Sequence, residues 1–168
     1  MIDFAALQEY VYNNRVIDSE YHGLEHWRQV EFNGLLLAPR TGADITVVRL
    51  FALFHDCKRE DDGYDGGHGE RGAEFAKKCF EEKLLDITQE QFDKLFYACS
   101  MHTHERFNED VTISTCYDAD RLDLGRVGIP LNPEKMATAL GSKIAKRSLK
   151  EHVSVFGMRE WIRKLNLP

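Results

Sequence analysis

Four residues whose side chains are typical ligands of divalent cations lie along the chain in the order His26, His55-Asp56 and Asp120. Neutral imidazole nitrogens and carboxylate oxygens bind borderline and hard divalent metals. Each of the four falls on, or at the end of, a predicted helix face that is otherwise apolar. Because a buried polar group is unfavourable unless something pairs with it, their arrival from three helices predicts a metal ion as the shared partner.

Any one of these residues alone has a simpler interpretation. A lone histidine on an apolar helix face is more often a hydrogen-bonded core residue than a ligand. Asp120 alone could be a helix-capping or salt-bridged carboxylate. The combination of two imidazoles and two carboxylates is what favours a metal centre.

The elements that must position these residues are predicted to be helices. Apolar residues recur at helical spacing nearly throughout, and no convincing strand-like alternation occurs. We therefore expect an all-α fold, a single compact helical bundle formed by residues 1–168. Pro39 and Gly42 are predicted to end the second helix, and the apolar third helix is predicted to be the buried centre. Predicted helices cover about 3–13, 22–37 and 43–57, then start near His68, at the capping box Thr88/Gln91, before Asp120, and at Asn132-Pro133.

Composition is that of a soluble globular protein of 168 residues, with 43% hydrophobic residues and a net charge of −6. The acidic balance argues against broad binding to duplex nucleic acid, which depends on an excess of Lys and Arg. No apolar run approaches the ~20 residues that a membrane helix needs, so no membrane partner is expected. The four cysteines are scattered without a C-x-x-C pair, which predicts reduced core thiols and a cytoplasmic location.

The segments around the four residues resemble those of a known family. YHGLEHW contains His26, LFHDCKRED contains His55-Asp56, and DADRLDLGRVG contains Asp120, with HGERGAEFA between them. In order and rough spacing these segments are similar to the HD-domain superfamily of metal-dependent phosphohydrolases, over about residues 20–130. The resemblance implies an all-helical fold in which His26, His55, Asp56 and Asp120 bind one divalent cation.

The resemblance leaves the number of metals open. Some members of the family hold a second metal with two further histidines between the HD pair and the last aspartate, and His68 and His102 occupy plausible positions for that role. Alternatively, they contact a substrate phosphate, for which Arg121 is a further candidate. His22, one helical turn before His26, is expected to support the centre rather than to bind the metal.

The loop after the HD pair, KREDDGYDGG over residues 58–67, supplies the other candidate catalytic residues. Lys58 and Arg59 could bind a transferring phosphoryl group, while Glu60 or Asp56 could accept a proton from the attacking water. The alternative interpretation is a solvated loop with no role in the reaction.

We therefore predict a metal-dependent phosphohydrolase that acts on a small phosphorylated substrate, a nucleotide by family analogy, through a metal-activated water. The ion is divalent, with Mn, Co, Mg, Ni, Zn and Fe all compatible with the residues, and an oligomer is possible. Two alternatives stay open at this stage: a di-iron HD-type oxygenase, and a metal-bearing nucleotide sensor without catalytic activity. A purely structural helical protein is disfavoured because four ligand-type residues fall on inner faces.

Overall fold

The computed structural model describes all 168 residues, and its only regular elements are helices. This confirms the predicted all-α fold. Three short 3-10 turns, at Leu124–Val127, Pro133–Lys135 and Val155–Gly157, accompany eight α-helices. The α-helices are α1 (Phe4–Asn13), α2 (Leu24–Thr41), α3 (Ile45–Phe54), α4 (His68–Glu81), α5 (Gln89–Met101), α6 (Val111–Arg121), α7 (Ala139–Lys150) and α8 (Met158–Arg163).

Helix α3 is the centre of the bundle, as its apolar sequence predicts. Every residue from Val47 to Phe54 except Arg49 is buried, and α2, α5 and α6 pack around it. The hydrophobic cluster of 35 buried residues extends from Leu7 in α1 to Ile162 in α8. Burial of this size is the main favourable contribution to folding, so α3 gives the candidate ligands at its end a rigid support.

Side-chain caps fix where several helices begin. The carboxylates of Asp3, Asp44 and Asp110 each accept hydrogen bonds from two backbone amides at the start of α1, α3 and α6. The predicted capping box of Thr88 and Gln91 is present at the start of α5. Such caps satisfy amides that have no partner within the helix.

Three predicted boundaries are wrong. Helix α2 continues through Pro39 and ends at Gly42, whose φ of 83° is the left-handed conformation typical of a helix terminus. Proline is tolerated there because the carbonyl that loses its hydrogen bond belongs to Leu35, which is exposed to solvent. The third helix likewise ends at Phe54 rather than at Cys57, the predicted end.

The third wrong boundary lies after Asn132. The side chain of Asn132 does cap the following segment, but that segment is one 3-10 turn, and α7 begins only at Ala139. The buried carboxylate of Asp118 accepts hydrogen bonds from the amides of Ala137 and Thr138, at 2.7 and 2.8 Å. These bonds draw the chain out of the helical conformation before α7 can start.

Three glycines allow the helices that carry the site to approach closely. A Cβ atom at Gly34 of α2 would collide with Val48 of α3, and one at Gly72 of α4 would collide with the carbonyl of Phe54. A Cβ at Gly69 would meet the carbonyl of Cys99, next to His102. The absence of these side chains lets α2 and α4 approach α3 closely, and lets the start of α4 approach the end of α5. None of the helices has both the length and the apolar character required to cross a membrane.

Candidate metal centre

Helix ends deliver the candidate ligands to one place. His26 lies in the first turn of α2, and His55-Asp56 follows the last residue of α3. Asp120 is in the last turn of α6. His26 and His55 are fully buried, and Asp56 is 5% exposed. The structure thus brings all four predicted ligands together.

Three of these residues form the first group, which we call the Asp120 cluster: His26, His55 and Asp120. The Nε2 atom of His26 lies 3.1 Å from His55 Nε2 and 3.2 Å from Asp120 Oδ1. Asp56 Oδ2 is 3.4 Å from His26 Nε2 and 3.6 Å from His55 Nε2. Ligands about 2.1 Å from a common ion are roughly 3.0–3.5 Å apart, so this spacing fits one divalent cation.

The second group, which we call the His68 cluster, consists of His68 and His102. Their Nε2 atoms are 3.1 Å apart. The other carboxylate oxygen of Asp56, Oδ1, is 3.1 Å from His68 Nε2 and 3.7 Å from His102 Nε2. Asp56 therefore directs one oxygen to each cluster, and the two groups together could hold two cations with a bridging carboxylate.

All four imidazoles use the Nδ1 atom for an outward hydrogen bond. His26 Nδ1 donates to Asp123 Oδ2 at 2.7 Å, and His55 Nδ1 donates to the carbonyl of Phe51 at 3.0 Å. In the same way His102 Nδ1 donates to the carbonyl of Cys99 at 2.7 Å, and His68 Nδ1 donates to that of Asp65. Because carbonyls only accept hydrogen bonds, His55, His68 and His102 must carry a proton on Nδ1, and their Nε2 atoms face the centre.

The protonation of the Asp120 cluster follows from this arrangement. Burial lowers the pKa of His55 to about 3, outweighing the attraction of Asp56 and Asp120. Burial also acts to lower the pKa of His26, but its hydrogen bonds to Asp120, Asp123 and Asp56 outweigh that effect and raise the pKa to about 10. In the protein alone, His26 therefore holds a proton that its Nε2 atom shares with the neighbouring ligands.

The carboxylates of the centre remain ionised. Burial acts to raise the pKa of both Asp56 and Asp120, yet the surrounding histidines hold both values well below the ordinary range. In the His68 cluster, hydrogen bonding to Asp56 raises the pKa of His102 despite the opposing effect of burial. Negative carboxylates beside the protonated imidazole of His26 are a charge arrangement in which a cation can replace the proton.

Of the three loop residues predicted to be catalytic, only one contacts the centre. Arg59 reaches the centre, since its Nε atom donates to Asp56 Oδ1 at 3.3 Å. The Lys58 ammonium instead lies 4.0 Å from the centre of the Phe75 ring and donates to the carbonyl of Asn14. The Glu60 side chain is 62% exposed and lies near Arg71. Arg59 therefore contacts the bridging carboxylate of the centre, whereas Lys58 and Glu60 do not.

Arg121 does not face the centre either. Its guanidinium donates to three backbone carbonyls, those of Glu105, Arg106 and Lys135. These bonds tie the segment after α5 to the segment before α7. His22, in contrast, lies at the edge of the centre, with Nδ1 3.1 Å from Asp56 Oδ2.

Two residues that help to orient His26 were not predicted from the sequence. Asp123, 1% exposed, accepts the hydrogen bond of His26, and Arg159 of α8 donates to both of its oxygens at 2.6 and 2.8 Å. Asp123 follows Asp120 by three residues in the DADRLD segment, so one helical turn of spacing was the available signal. Arg159 is 36 residues further on, and no local pattern marks it.

Comparisons with known proteins agree with this geometry. Residues 23–125 match the model of the HD domain family, so the chain belongs to that family. A solved structure of a predicted HD superfamily hydrolase from an uncultured Thermotogales bacterium superimposes with a TM-score of 0.68 and 25% sequence identity. The alignment covers 96% of this chain and 91% of that protein. No curated protein sequence matches significantly.

Proposed function

We propose that this protein is a metal-dependent phosphohydrolase whose centre is formed by the Asp120 cluster, the His68 cluster and the bridging Asp56. The observation that carries the proposal is the Asp56 carboxylate, which directs Oδ2 to one pair of imidazoles and Oδ1 to the other. Membership of the HD family and the likeness to a predicted hydrolase support it. Divalent cations held there would lower the pKa of a water molecule and polarise a phosphoryl oxygen.

The donor set fits transition metals better than magnesium. The two clusters and the bridging aspartate supply four imidazoles and two carboxylates, those of His26, His55, His68, His102, Asp56 and Asp120. Imidazole favours metals such as Zn, Fe and Ni, whereas Mg²⁺ prefers oxygen ligands. We therefore propose Mn, Fe, Co, Ni or Zn, in preference to Mg, as the metal that supports activity.

Arg59 is the side chain best placed to bind the phosphoryl group. It is 11% exposed at the surface of the centre, and its Nε atom contacts Asp56 Oδ1. Its Nη1 atom donates to the carbonyls of Asp61 and Gly63, which fixes the guanidinium. A fixed guanidinium next to the reacting group can stabilise negative charge in the transition state without reorganisation. Asp56 Oδ2, beside His22, would orient the attacking water.

A groove beside the centre supports a nucleotide as the substrate. Tyr21, Arg126 and Phe156 line two adjoining hollows of about 260 and 390 Å³. Arg126 Nη2 lies 3.3 Å from His22 Nδ1, which in turn contacts Asp56, so the groove begins two contacts from the bridging carboxylate. Tyr21 and Phe156 are 48% and 83% exposed. Aromatic faces of this kind stack on nucleobases, and the guanidinium would bind a phosphate or ribose oxygen.

The test is phosphate release from a panel of nucleotides and sugar phosphates, with chelator-stripped protein before and after addition of each metal. We expect release to return with a transition metal and to be lost in the Asp56→Ala variant. No release with any metal would contradict the proposal.

For the groove, Phe156→Ala should raise KM for the preferred nucleotide about tenfold while leaving turnover of glycerol phosphate unchanged. An equal change for both substrates would exclude base recognition by Phe156.

A second candidate function is favoured by the same carboxylate bridge. Two irons joined by Asp56, with two imidazoles on each side, would also permit oxidation of a carbon–hydrogen bond by dioxygen. Iron in freshly purified protein together with substrate-dependent oxygen consumption would establish this activity. Phosphate release without oxygen consumption would exclude it.

We further propose that residues 1–168 form one domain and that the protein is cytoplasmic. The buried hydrophobic cluster extends without interruption from α1 to α8, which supports the first statement. The four cysteines are all buried thiols, which supports the second, because free thiols of this kind are typical of reducing compartments.

A further inference from the structure

The C-terminal helix is linked to the metal centre through a partly exposed arginine, Arg159, and a buried aspartate, Asp123. Arg159 is in α8, outside residues 23–125 that match the HD family. Its Nε and Nη2 atoms donate to Asp123 Oδ1 and Oδ2 at 2.6 and 2.8 Å. Asp123 Oδ2 also accepts from Nδ1 of His26 at 2.7 Å. A continuous path of three hydrogen bonds thus links α8 to a ligand of the Asp120 cluster.

Asp123 depends on this arginine for its orientation. The carboxylate is fully enclosed, and the paired donors of Arg159 match its two oxygens in the bidentate geometry that fixes a carboxylate plane. The other nearby guanidinium, that of Arg126, is 3.9 Å from Asp123 Oδ2 and donates instead to the backbone carbonyl of Asp123. Arg159 alone therefore sets the direction of the oxygen that receives the His26 proton.

The orientation of His26 matters more than that of the other histidines. His55 and His102 donate Nδ1–H to backbone carbonyls within α3 and α5, and His68 donates to the backbone carbonyl of Asp65, just before α4. His26 donates to a side chain, whose rotamer must be fixed by something else. A carboxylate behind a histidine also makes the imidazole a stronger metal ligand than a neutral carbonyl does.

We propose that Arg159 is a positioning residue of the metal centre: it holds Asp123 so that the Nε2 atom of His26 faces the cation. The inference rests on the metal centre put forward above, but not on hydrolysis. By this account α8 is required for tight binding of the cation in the Asp120 cluster, even though none of its residues contacts the cation.

The experiment measures Co²⁺ affinity by visible absorption for wild-type protein and for Arg159→Met and Asp123→Asn. We expect each substitution to weaken Co²⁺ binding in the Asp120 cluster by about 10- to 100-fold. Because both act through one path, the double variant should be no weaker than the more severely affected single variant. Arg163→Met, at an exposed position of the same helix, and Glu25→Gln, which removes the exposed partner of Arg159, serve as matched controls and should bind Co²⁺ like wild type.

A purely structural role for Arg159 predicts different results. The Asp123→Asn/Arg159→Met variant carries no unpaired buried charge, so its fold is expected to survive where a single variant fails. A folded double variant with wild-type Co²⁺ affinity would overturn the proposal. A loss of affinity in the double variant equal to the sum of the losses in the two single variants would also overturn it. The downfield proton resonance expected for His26 Nδ1–H should disappear in Arg159→Met, and its persistence unchanged would also overturn it. Hydrolysis is not measured, so a wild-type protein that binds Co²⁺ without cleaving phosphate leaves this inference intact and contradicts only the proposed activity.

Discussion

The two clusters that share Asp56 are held in different ways. The His68 cluster is anchored by backbone carbonyls alone, those of Asp65 and Cys99. The Asp120 cluster combines a carboxylate ligand with a second buried carboxylate behind His26, and an arginine from a distant helix completes it. Negative charge and ligand basicity both strengthen cation binding. We therefore expect the proposed cation of the Asp120 cluster to bind more tightly than that of the His68 cluster.

Removal of Asp56 would have the largest effect, because this residue alone serves both clusters. In Asp56→Ala we expect kcat/KM for phosphate release to fall by more than the roughly 100-fold typical for the loss of a residue that merely supports a ligand. Metal analysis after dialysis should find less bound cation in both clusters. Asp56→Asn, which keeps the size of the side chain, is the control for folding. Wild-type turnover in either variant would refute the bridging role.

Substitutions confined to one cluster separate the two sites. His102→Ala should reduce the metal content from two ions per chain to one and leave the tightest binding step unchanged. Asp120→Ala should instead weaken that tightest step, because it removes a charged ligand. Isothermal titration with Mn²⁺ resolves the two steps. If His102→Ala abolished the tight step and Asp120→Ala spared it, the order of affinities proposed here would be reversed.

The pH dependence of the metal-free protein tests the electrostatics of the Asp120 cluster. The pKa of His26 is raised in the fold to about 10 from 6.5, so its contribution to stability is complete below pH 6.5 and is lost as the pH rises through 10. The pKa of His55 is lowered to about 3, so its neutral form destabilises the fold increasingly as the pH falls from 6.5 towards 3. We therefore expect the Tm of chelator-treated protein to be highest near pH 6.5 and to fall towards both pH 3 and pH 10.

The variant His26→Gln isolates the alkaline part of this profile. Relative to wild type, its Tm should depend less on pH between about 7 and 10. Metal binding at pH 7 should also release about one proton per ion from the wild-type Asp120 cluster, measured as the buffer dependence of the binding enthalpy. An identical alkaline profile in wild type and His26→Gln would show that His26 is not protonated in the metal-free fold.

The smallest effects are expected where the structure moves predicted catalytic residues away from the centre. Lys58→Met and Glu60→Gln should change kcat/KM by less than about twofold, because surface substitutions outside a site usually have small energetic effects.

The neighbouring variant Arg59→Met should instead lower kcat/KM by about 100-fold, in line with the loss of one transition-state donor. Side-by-side phosphate-release assays of the three variants would decide which cation of the loop acts. Equal losses in Lys58→Met and Arg59→Met would contradict the assignment.

The fold was largely predictable because local signals and burial agree along the chain. The apolar surface of α3, the capping box at Thr88 and the polar residues at helix ends all indicate the observed architecture. The extension of α2 through Pro39 was not predictable from propensity, since it depends on the exposure of Leu35 to solvent. The late start of α7 depends on a contact with Asp118, made across about 20 residues of sequence.

The residues of the candidate site were likewise predictable only in part. His26, His55, Asp56 and Asp120 stand out in the sequence because polar residues interrupt otherwise apolar helix faces. The directions of Lys58 and Arg59 could not be inferred from their adjacent positions, because they depend on the Phe75 ring and on the Asp56 carboxylate. Arg159 could not be recognised because its importance arises from a partner in another part of the fold.

The most direct test of the central claim is the anomalous diffraction signal of crystals grown with Mn²⁺. The account predicts two peaks about 3.5–4 Å apart, one on each side of the Asp56 carboxylate. One peak should lie among His26, His55 and Asp120, and the other should lie beside His68 and His102. A single peak, or peaks that do not contact Asp56, would contradict the two-metal centre.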